Sequence, residues 1–390
     1  MSILDIDVSG DAERSFRALP QILARAVGAQ GGGGAQLAVY HCGRKVVDLV
    51  AGDFRPDSVM LVFSVSKAVA ALATHHAIDR GLLSPDLALH DVWPAFGRSQ
   101  RARAITLDHV LTHSSGLPSV ERELSIPDHV AGGLTEAIEE QEPYWEPGTE
   151  HGYHAFTFGA LLAGVFEHAL GVSLTDYIDT NLARPLGLDL SLGLRDRQRL
   201  RLRLYRRPSQ AVTPLDRVAG SLPDALPDGA GALVWADMLQ FNEDDVLRAE
   251  WPSTNVISNA SDLARLFAAS VEPVEGIRVL SAEGLQRMAG LRYRGMDRML
   301  RFPISFGSGV QLPFPQLPFL GAGSFGHEGA GGAVLAVDPR RRLSVAFVTD
   351  VFPPSNGAAP AAYPVLAAIS QISDELVTEY GPCGADEWPT

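Results

Sequence analysis

A chain of 390 residues with 46% hydrophobic and 20% charged residues has ordinary globular composition and is long enough for one large unit with a sizeable core. Its formal net charge of −14 repels phosphate backbones and anionic lipid surfaces, which argues against nucleic-acid and membrane-surface roles. No apolar run approaches the roughly 18 residues of a membrane span, and the acidic start Met1–Asp7 lacks the basic flank of a secretory signal, so cytoplasmic residence is expected.

Along the chain, Ala12 to Gln30 has helical spacing of Phe16, Leu19, Ile22, Leu23 and Val27, and the Gly31–Gly34 run ends it. Leu37–Tyr40 and Val46–Val50 are β-branched-rich runs joined across Gly43, which predicts an antiparallel hairpin. After Leu61-Val62-Phe63 the pattern turns helical, with Val69, Leu72, Ala73, His76 and Ala77 recurring at three and four before Gly81. Ser64 is thus placed at a helix start. From Leu83 to about Glu250, short helical stretches alternate with prolines and glycines. A helix then follows Asn259, strands are predicted at Gly332–Val337 and Leu343–Val348, and a closing helix runs through Val365, Leu366, Ile369 and Ile372.

Strands near both chain ends with helices between them imply an α/β (α+β type) fold, an antiparallel sheet built from N- and C-terminal segments. The expected division is a sheet subdomain over about 1–82 and 256–390 with a helical subdomain over about 83–255 inserted. Cys42 and Cys383 are the only cysteines, so a disulfide framework and a multi-cysteine metal site are excluded, and both are expected as free thiols. The arginines from Arg195 to Arg207 read as a solvated face or an internal salt-bridging segment. His109 and His113 are four apart, but no glutamate follows His109 as in a helical zinc motif. His75 and His76 point to different helix faces and suit surface or core duty. No metal and no cofactor is expected.

Chemistry concentrates at Ser64-Val65-Ser66-Lys67, where a hydroxyl and an amine three apart at a helix start stack on one face, one turn apart. A serine hydroxyl needs an adjacent base to attack a carbonyl, and a desolvated lysine at a helix N-terminus can supply one. Lys45 and Lys67 are the only lysines, and arginine cannot accept a proton near neutral pH, so Lys67 is one of two candidate amine bases.

With this S-x-x-K motif stand further segments, and together they resemble the superfamily of serine β-lactamases, penicillin-binding proteins and β-lactamase-like (family VIII type) carboxylesterases. Ile105–Pro118, which contains Leu111-Thr112-His113-Ser114-Ser115-Gly116-Leu117, is the longest match. Trp145-Glu146-Pro147-Gly148 leading to Tyr153-His154-Ala155 is similar to the tyrosine motif, and His327-Glu328-Gly329-Ala330 occupies the place of the third motif. The resemblance covers roughly residues 30 to 350. It implies Ser64 as nucleophile, Lys67 and Tyr153 as proton carriers, and an oxyanion site made by the backbone N–H groups of Ser64 and of Ala330, on the strand after Gly329. The division of the base role between Lys67 and Tyr153 stays open at this level.

Two departures bear on the substrate, because Ala155 stands where β-lactamases usually carry asparagine and His327-Glu328 replaces Lys-Thr/Ser. His327, Glu328, Gly329 and Ala155 are the expected substrate-binding residues, and the departures favour a small ester over a β-lactam. A β-lactamase or D-amino-acid peptidase of the same mechanism is the alternative, and a non-catalytic binding module of the same fold is a further one. The sequence leaves open oligomeric state and the choice between hydrolysis and acyl transfer.

Overall fold

Alternation of side chains across a strand builds the centre of the molecule. In Ala35–His41, Leu37 and Val39 join one buried apolar cluster while Ala38 and Tyr40 join another on the opposite face. A strand covered on both faces must be apolar on both, and this one is buried throughout. The computed structural model describes residues 6–207, 238–353 and 357–380.

Its strands are β1 (Val8–Ala12), β2 (Ala35–His41), β3 (Arg44–Ala51), β4 (Met60–Leu61), β5 (Ser191–Leu192), β6 (Val256–Ser258), β7 (Tyr293–Met296), β8 (Pro303–Phe306), β9 (Phe325–Glu328), β10 (Val334–Asp338) and β11 (Leu343–Thr349). The main sheet has the order β1-β3-β2-β11-β10-β9 and is antiparallel at each pairing. Residues of the chain's two ends therefore pair directly, Val39 opposite Val345. The β2–β3 hairpin turns on Cys42 and Gly43, both at positive φ, the conformation a two-residue hairpin loop requires.

On one face the sheet packs against α1 (Leu19–Ala29) and the C-terminal helix Ala362–Tyr380; on the other it packs against helix Ala260–Val271 and the larger core around α2 (Val65–Asp79). Every residue of α2 from Val65 to Ala77 is buried. An all-round apolar helix belongs at the centre of a large core, and that position holds Ser64 and Lys67 against the β9 edge of the sheet.

Several expectations change on contact with the structure. The helix expected over Ala12 to Gln30 begins only at Leu19, with Pro20 in its first turn, and Ala12 ends the strand Val8–Ala12, whose ladder is supplied by β3. Gly10 sits at φ +108 with an added Cβ only 2.1 Å from Asp48 O, a close approach that the apolar pattern does not encode. His113 lies beyond helix Leu107–Leu111 at φ +54, so it shares no helix face with His109. His75 and His76 both serve the core, bound to Ser308 O and to the Tyr177 hydroxyl. Cys42 is disulfide-bonded and not a free thiol as expected; Cys383 lies outside the described residues.

The arginine stretch is an ion-pairing segment. Arg195 meets Glu250, Arg201 meets Asp189, and Arg203 and Arg206 converge on Asp350 at 3.1 and 3.2 Å. Asp350 is buried at the end of β11 and also accepts Gly34 N at 2.9 Å. Asp350→Ala strands a buried N–H and, among the described residues, leaves Arg203 and Arg206 only the exposed Asp53 as an ion-pair partner, so it is expected to lower stability by about 2–3 kcal/mol. Urea unfolding checks this; a loss within measurement error would show that the network is idle.

Candidate active site

The segment entering α2 is held before Ser64 is reached. Tyr205 donates its hydroxyl to Leu61 O at 2.7 Å, and Val62 N bonds Val256 O at 3.0 Å. Phe63 then adopts φ +49, a conformation disfavoured for a bulky residue, and its ring is packed by Phe241, Tyr205 and Phe352 at centroid distances of 4.6, 5.1 and 5.7 Å. This sharp turn delivers Ser64 to the N-cap of α2. Serine there commonly caps the helix with its side chain, yet Ser64 makes no such bond, which leaves its hydroxyl available. Ser66 is fully buried and accepts Val256 N at 2.9 Å, a structural duty.

Lys67 is completely buried. Its Nζ lies 3.1 Å from Ser64 Oγ and donates to Ser253 O at 3.1 Å, and it forms no ion pair among the described residues. A buried ammonium without a counter-charge is costly, and burial pushes the amine well below the usual lysine range. The neutral amine has a lone pair to offer Ser64. Tyr153 stands alongside, with Nζ 4.9 Å from its ring centroid. Burial raises the Tyr153 hydroxyl above the usual phenol range, a hydrogen bond with Ser64 opposes this, and the charges of Glu328 and Asp297 reinforce it. Tyr153 is therefore a neutral phenol at physiological pH.

The backbone around Tyr153 is fixed residue by residue. Arg298 N donates to His151 O, Gly152 N to His113 O, Tyr153 N to Asp297 Oδ2, and His154 N to His113 Nδ1, all at 3.0–3.1 Å. Partners also fix the tautomers. His154 Nδ1–H donates to Gly152 O at 2.6 Å, so its Nε2 accepts from the Ser115 hydroxyl at 2.7 Å. His113 stacks on Tyr153 with centroids 5.2 Å apart. The Leu111–Leu117 match thus has a physical role as the bed on which the tyrosine segment lies.

The third motif lies at the end of β9. Gly329 approaches Val62 O so closely that an added Cβ would stand 2.3 Å away, which seats the following turn beside Phe63 and Ser64. Ala330 is in this turn between β9 and β10, and not on a strand as its sequence suggested, because Gly332 N closes the turn onto Gly329 O at 2.8 Å. His327 is fully buried, and its Nδ1–H donates to Glu328 O at 2.7 Å, so Nε2 is an acceptor, buried with no partner among the described residues. Burial pulls His327 down to about 3, and the ring is neutral. Glu328 turns away toward the start of the C-terminal helix, where Oε2 accepts Ala358 N at 2.7 Å. Ser64, Tyr153, Ala155, Glu328 and Ala330 are each partly exposed, which marks where the site opens. Asp297 and His151 were not among the residues expected from sequence.

The fold and this Ser-Lys-Tyr cluster define the class of serine hydrolases that share the antiparallel β-lactamase-type sheet. The chain belongs to the Beta-lactamase family, whose model matches residues 19–369. It is similar to an esterase/beta-lactamase, LipL, of Mycobacterium tuberculosis, 29% identical over 369 residues that cover 87% of this chain and 82% of that protein. EstA from Arthrobacter nitroguajacolicus superposes with a TM-score of 0.83 at 27% identity, over 94% of this chain and 99% of the other. A penicillin-binding protein homologue from Caulobacter crescentus gives 0.81 at 29%, over 94% and 100%.

Lys67 also carries a stability signature. The unfolded chain binds the lysine proton below about pH 10.5, whereas the native amine binds it only at its lower value, so the native state loses ~1.4 kcal/mol per pH unit on descending that window. Lys67→Met is accordingly expected to abolish turnover while raising the unfolding temperature at pH 7, with the gain shrinking toward pH ~10. A methionine variant that is equally destabilised at both pH values would mean that native Lys67 is charged.

Proposed function

We propose that the protein is a carboxylesterase acting on small, uncharged esters through an acyl-Ser64 intermediate. The observation that carries this reading is the third motif. Where a β-lactamase offers a cation and a hydroxyl to the substrate carboxylate, this site offers the acceptor Nε2 of a neutral His327, and Glu328, its carboxyl turned to Ala358 N, supplies no hydroxyl. Neither residue donates to an anion. Ala155 likewise offers no side-chain amide. The esterase/beta-lactamase relative supports an ester substrate.

In this reading neutral Lys67 takes the Ser64 proton as Oγ attacks the ester carbonyl carbon. The developing oxyanion is received by the N–H groups of Ser64 and Ala330, whose positions are set by the Phe63 turn and by the contact of Gly329 with Val62. As the tetrahedral intermediate collapses, the C–O bond to the alcohol breaks and Tyr153 gives its proton to the departing oxygen. Tyr153 is then reprotonated from Lys67. The raised pKa of Tyr153 and the lowered one of Lys67 suit this division into acid and base. Water attacks the acyl-enzyme by the reverse sequence and frees the acid.

Activity on a short-chain aryl ester is expected to exceed that on any penicillin or cephalosporin by at least about a hundredfold in kcat/KM, or roughly 2.7 kcal/mol. Glu328→Thr combined with Ala155→Asn should narrow that gap, and Ser64→Ala should show no turnover and no acyl adduct by intact-mass spectrometry. Hydrolysis of a cephalosporin as fast as the ester would refute the ester reading, and an adduct on Ser66 would refute the choice of nucleophile.

A further inference from the structure

We propose that Asp297, at the tip of the β7–β8 hairpin, is the positioning residue for Tyr153, holding the tyrosine in the geometry from which it protonates the leaving alcohol. The inference rests on the acid role given to Tyr153 above. It concerns a carboxylate 144 positions away in the chain.

The carboxylate of Asp297 is fully buried and divides its work between its two oxygens. Oδ1 accepts Met299 N and Leu300 N, both at 2.7 Å, which closes the hairpin tip over Asp297–Phe302. Oδ2 accepts Tyr153 N at 3.0 Å and His151 Nδ1–H at 2.8 Å. One oxygen thus organises the tip and the other grips the catalytic segment on both sides of Gly152, a residue whose lack of a side chain otherwise leaves that backbone free to rotate. The tip adds further grips, with Arg298 N on His151 O at 3.1 Å and the Arg298 guanidinium 2.9 Å from Glu150.

His151 is the second arm of the same device. Its ring lies flat on Tyr293 of β7, with centroids 4.2 Å apart and planes 9° from parallel, so hairpin and tyrosine segment are joined by stacking as well as by the carboxylate. Phe306 of β8 packs against His113, His151, Tyr153 and His327. Tyr153 thereby has its backbone held from one side by Asp297 and its ring bedded on His113. A buried carboxylate accepting four N–H groups is oriented by all of them, so displacing the tip displaces Tyr153 with it. The charge of Asp297 also keeps the phenol neutral, the form the acid role needs.

Asp297→Asn keeps the shape but replaces one acceptor oxygen by a donor, so two of the four N–H groups face an NH2 group. A merely structural loss would lower the active fraction and reduce all substrates alike. Misplacing an acid penalises only leaving groups that need a proton. For an ethyl and a p-nitrophenyl ester of the same acid, with rates normalised by active-site titration, kcat/KM, which reports the acylation step in which the alcohol leaves, is expected to fall roughly 30-fold or more for the ethyl ester and less than about 5-fold for the aryl ester, while deacylation of the shared acyl-enzyme changes equally for both. Tyr153→Phe should show the same selectivity in stronger form. Equal losses on the two esters, or no loss, in Asp297→Asn while Tyr153→Phe remains selective would overturn the positioning role alone. A Tyr153→Phe variant without selectivity would remove the acid assignment and the inference with it. Should Asp297→Asn fail to fold, His151→Gln, which leaves the carboxylate and the hairpin tip intact, reads the same ratio.

Discussion

Burying one amine without a counter-charge is the constraint on which the rest of the molecule turns. Lys67 can be tolerated in the centre of an all-buried helix only as a neutral base, and it stays neutral only if no carboxylate comes within ion-pairing distance. Among the described residues the surroundings obey that condition: its polar and aromatic contacts are a serine hydroxyl, a backbone carbonyl and an aromatic face. The cost of desolvation, borne by a large apolar core, is what keeps the amine neutral, the form in which a lysine can accept a proton.

The two acidic groups nearest the reaction are kept from undoing this by where their donors come from. Asp297 is satisfied by three backbone N–H groups and an imidazole, and Glu328 accepts a backbone N–H at the start of the C-terminal helix. Neither turns to the amine. The result is a site of neutral polar groups with negative charge behind Tyr153 and beside the third motif, a field that keeps the phenol protonated and opposes the approach of anions.

The parts of the site legible in the sequence are those whose chemistry is local. Ser64 and Lys67 lie one helical turn apart, so their spacing carries their contact, and Tyr153 follows a proline-glycine turn that is visible in the chain. The β2–β3 hairpin was legible for the same reason. Asp297 was not, because its meaning depends on a hairpin tip docking against a segment far away in sequence. The β1 strand was missed because its ladder, and not its own apolar pattern, makes it a strand. Ala330 was assigned to a strand where it occupies a turn, since the glycines that flank it serve both states equally well until Gly329 is seen against Val62.

The pairing of β2 with β11 joins residues about 300 positions apart, and β9, which carries the third motif, reaches the sheet only through β10 and β11. A nascent chain emerging from the ribosome can form the β2–β3 hairpin and α2 early, but the turn bearing Ala330 has nothing to dock on until the C-terminal strands have been made. Such non-local topology is slow to close and leaves apolar strand edges open while it waits. The half-made protein accordingly carries Ser64 without the turn of Ala330, and the proposed oxyanion site is complete only once the C-terminal strands have docked.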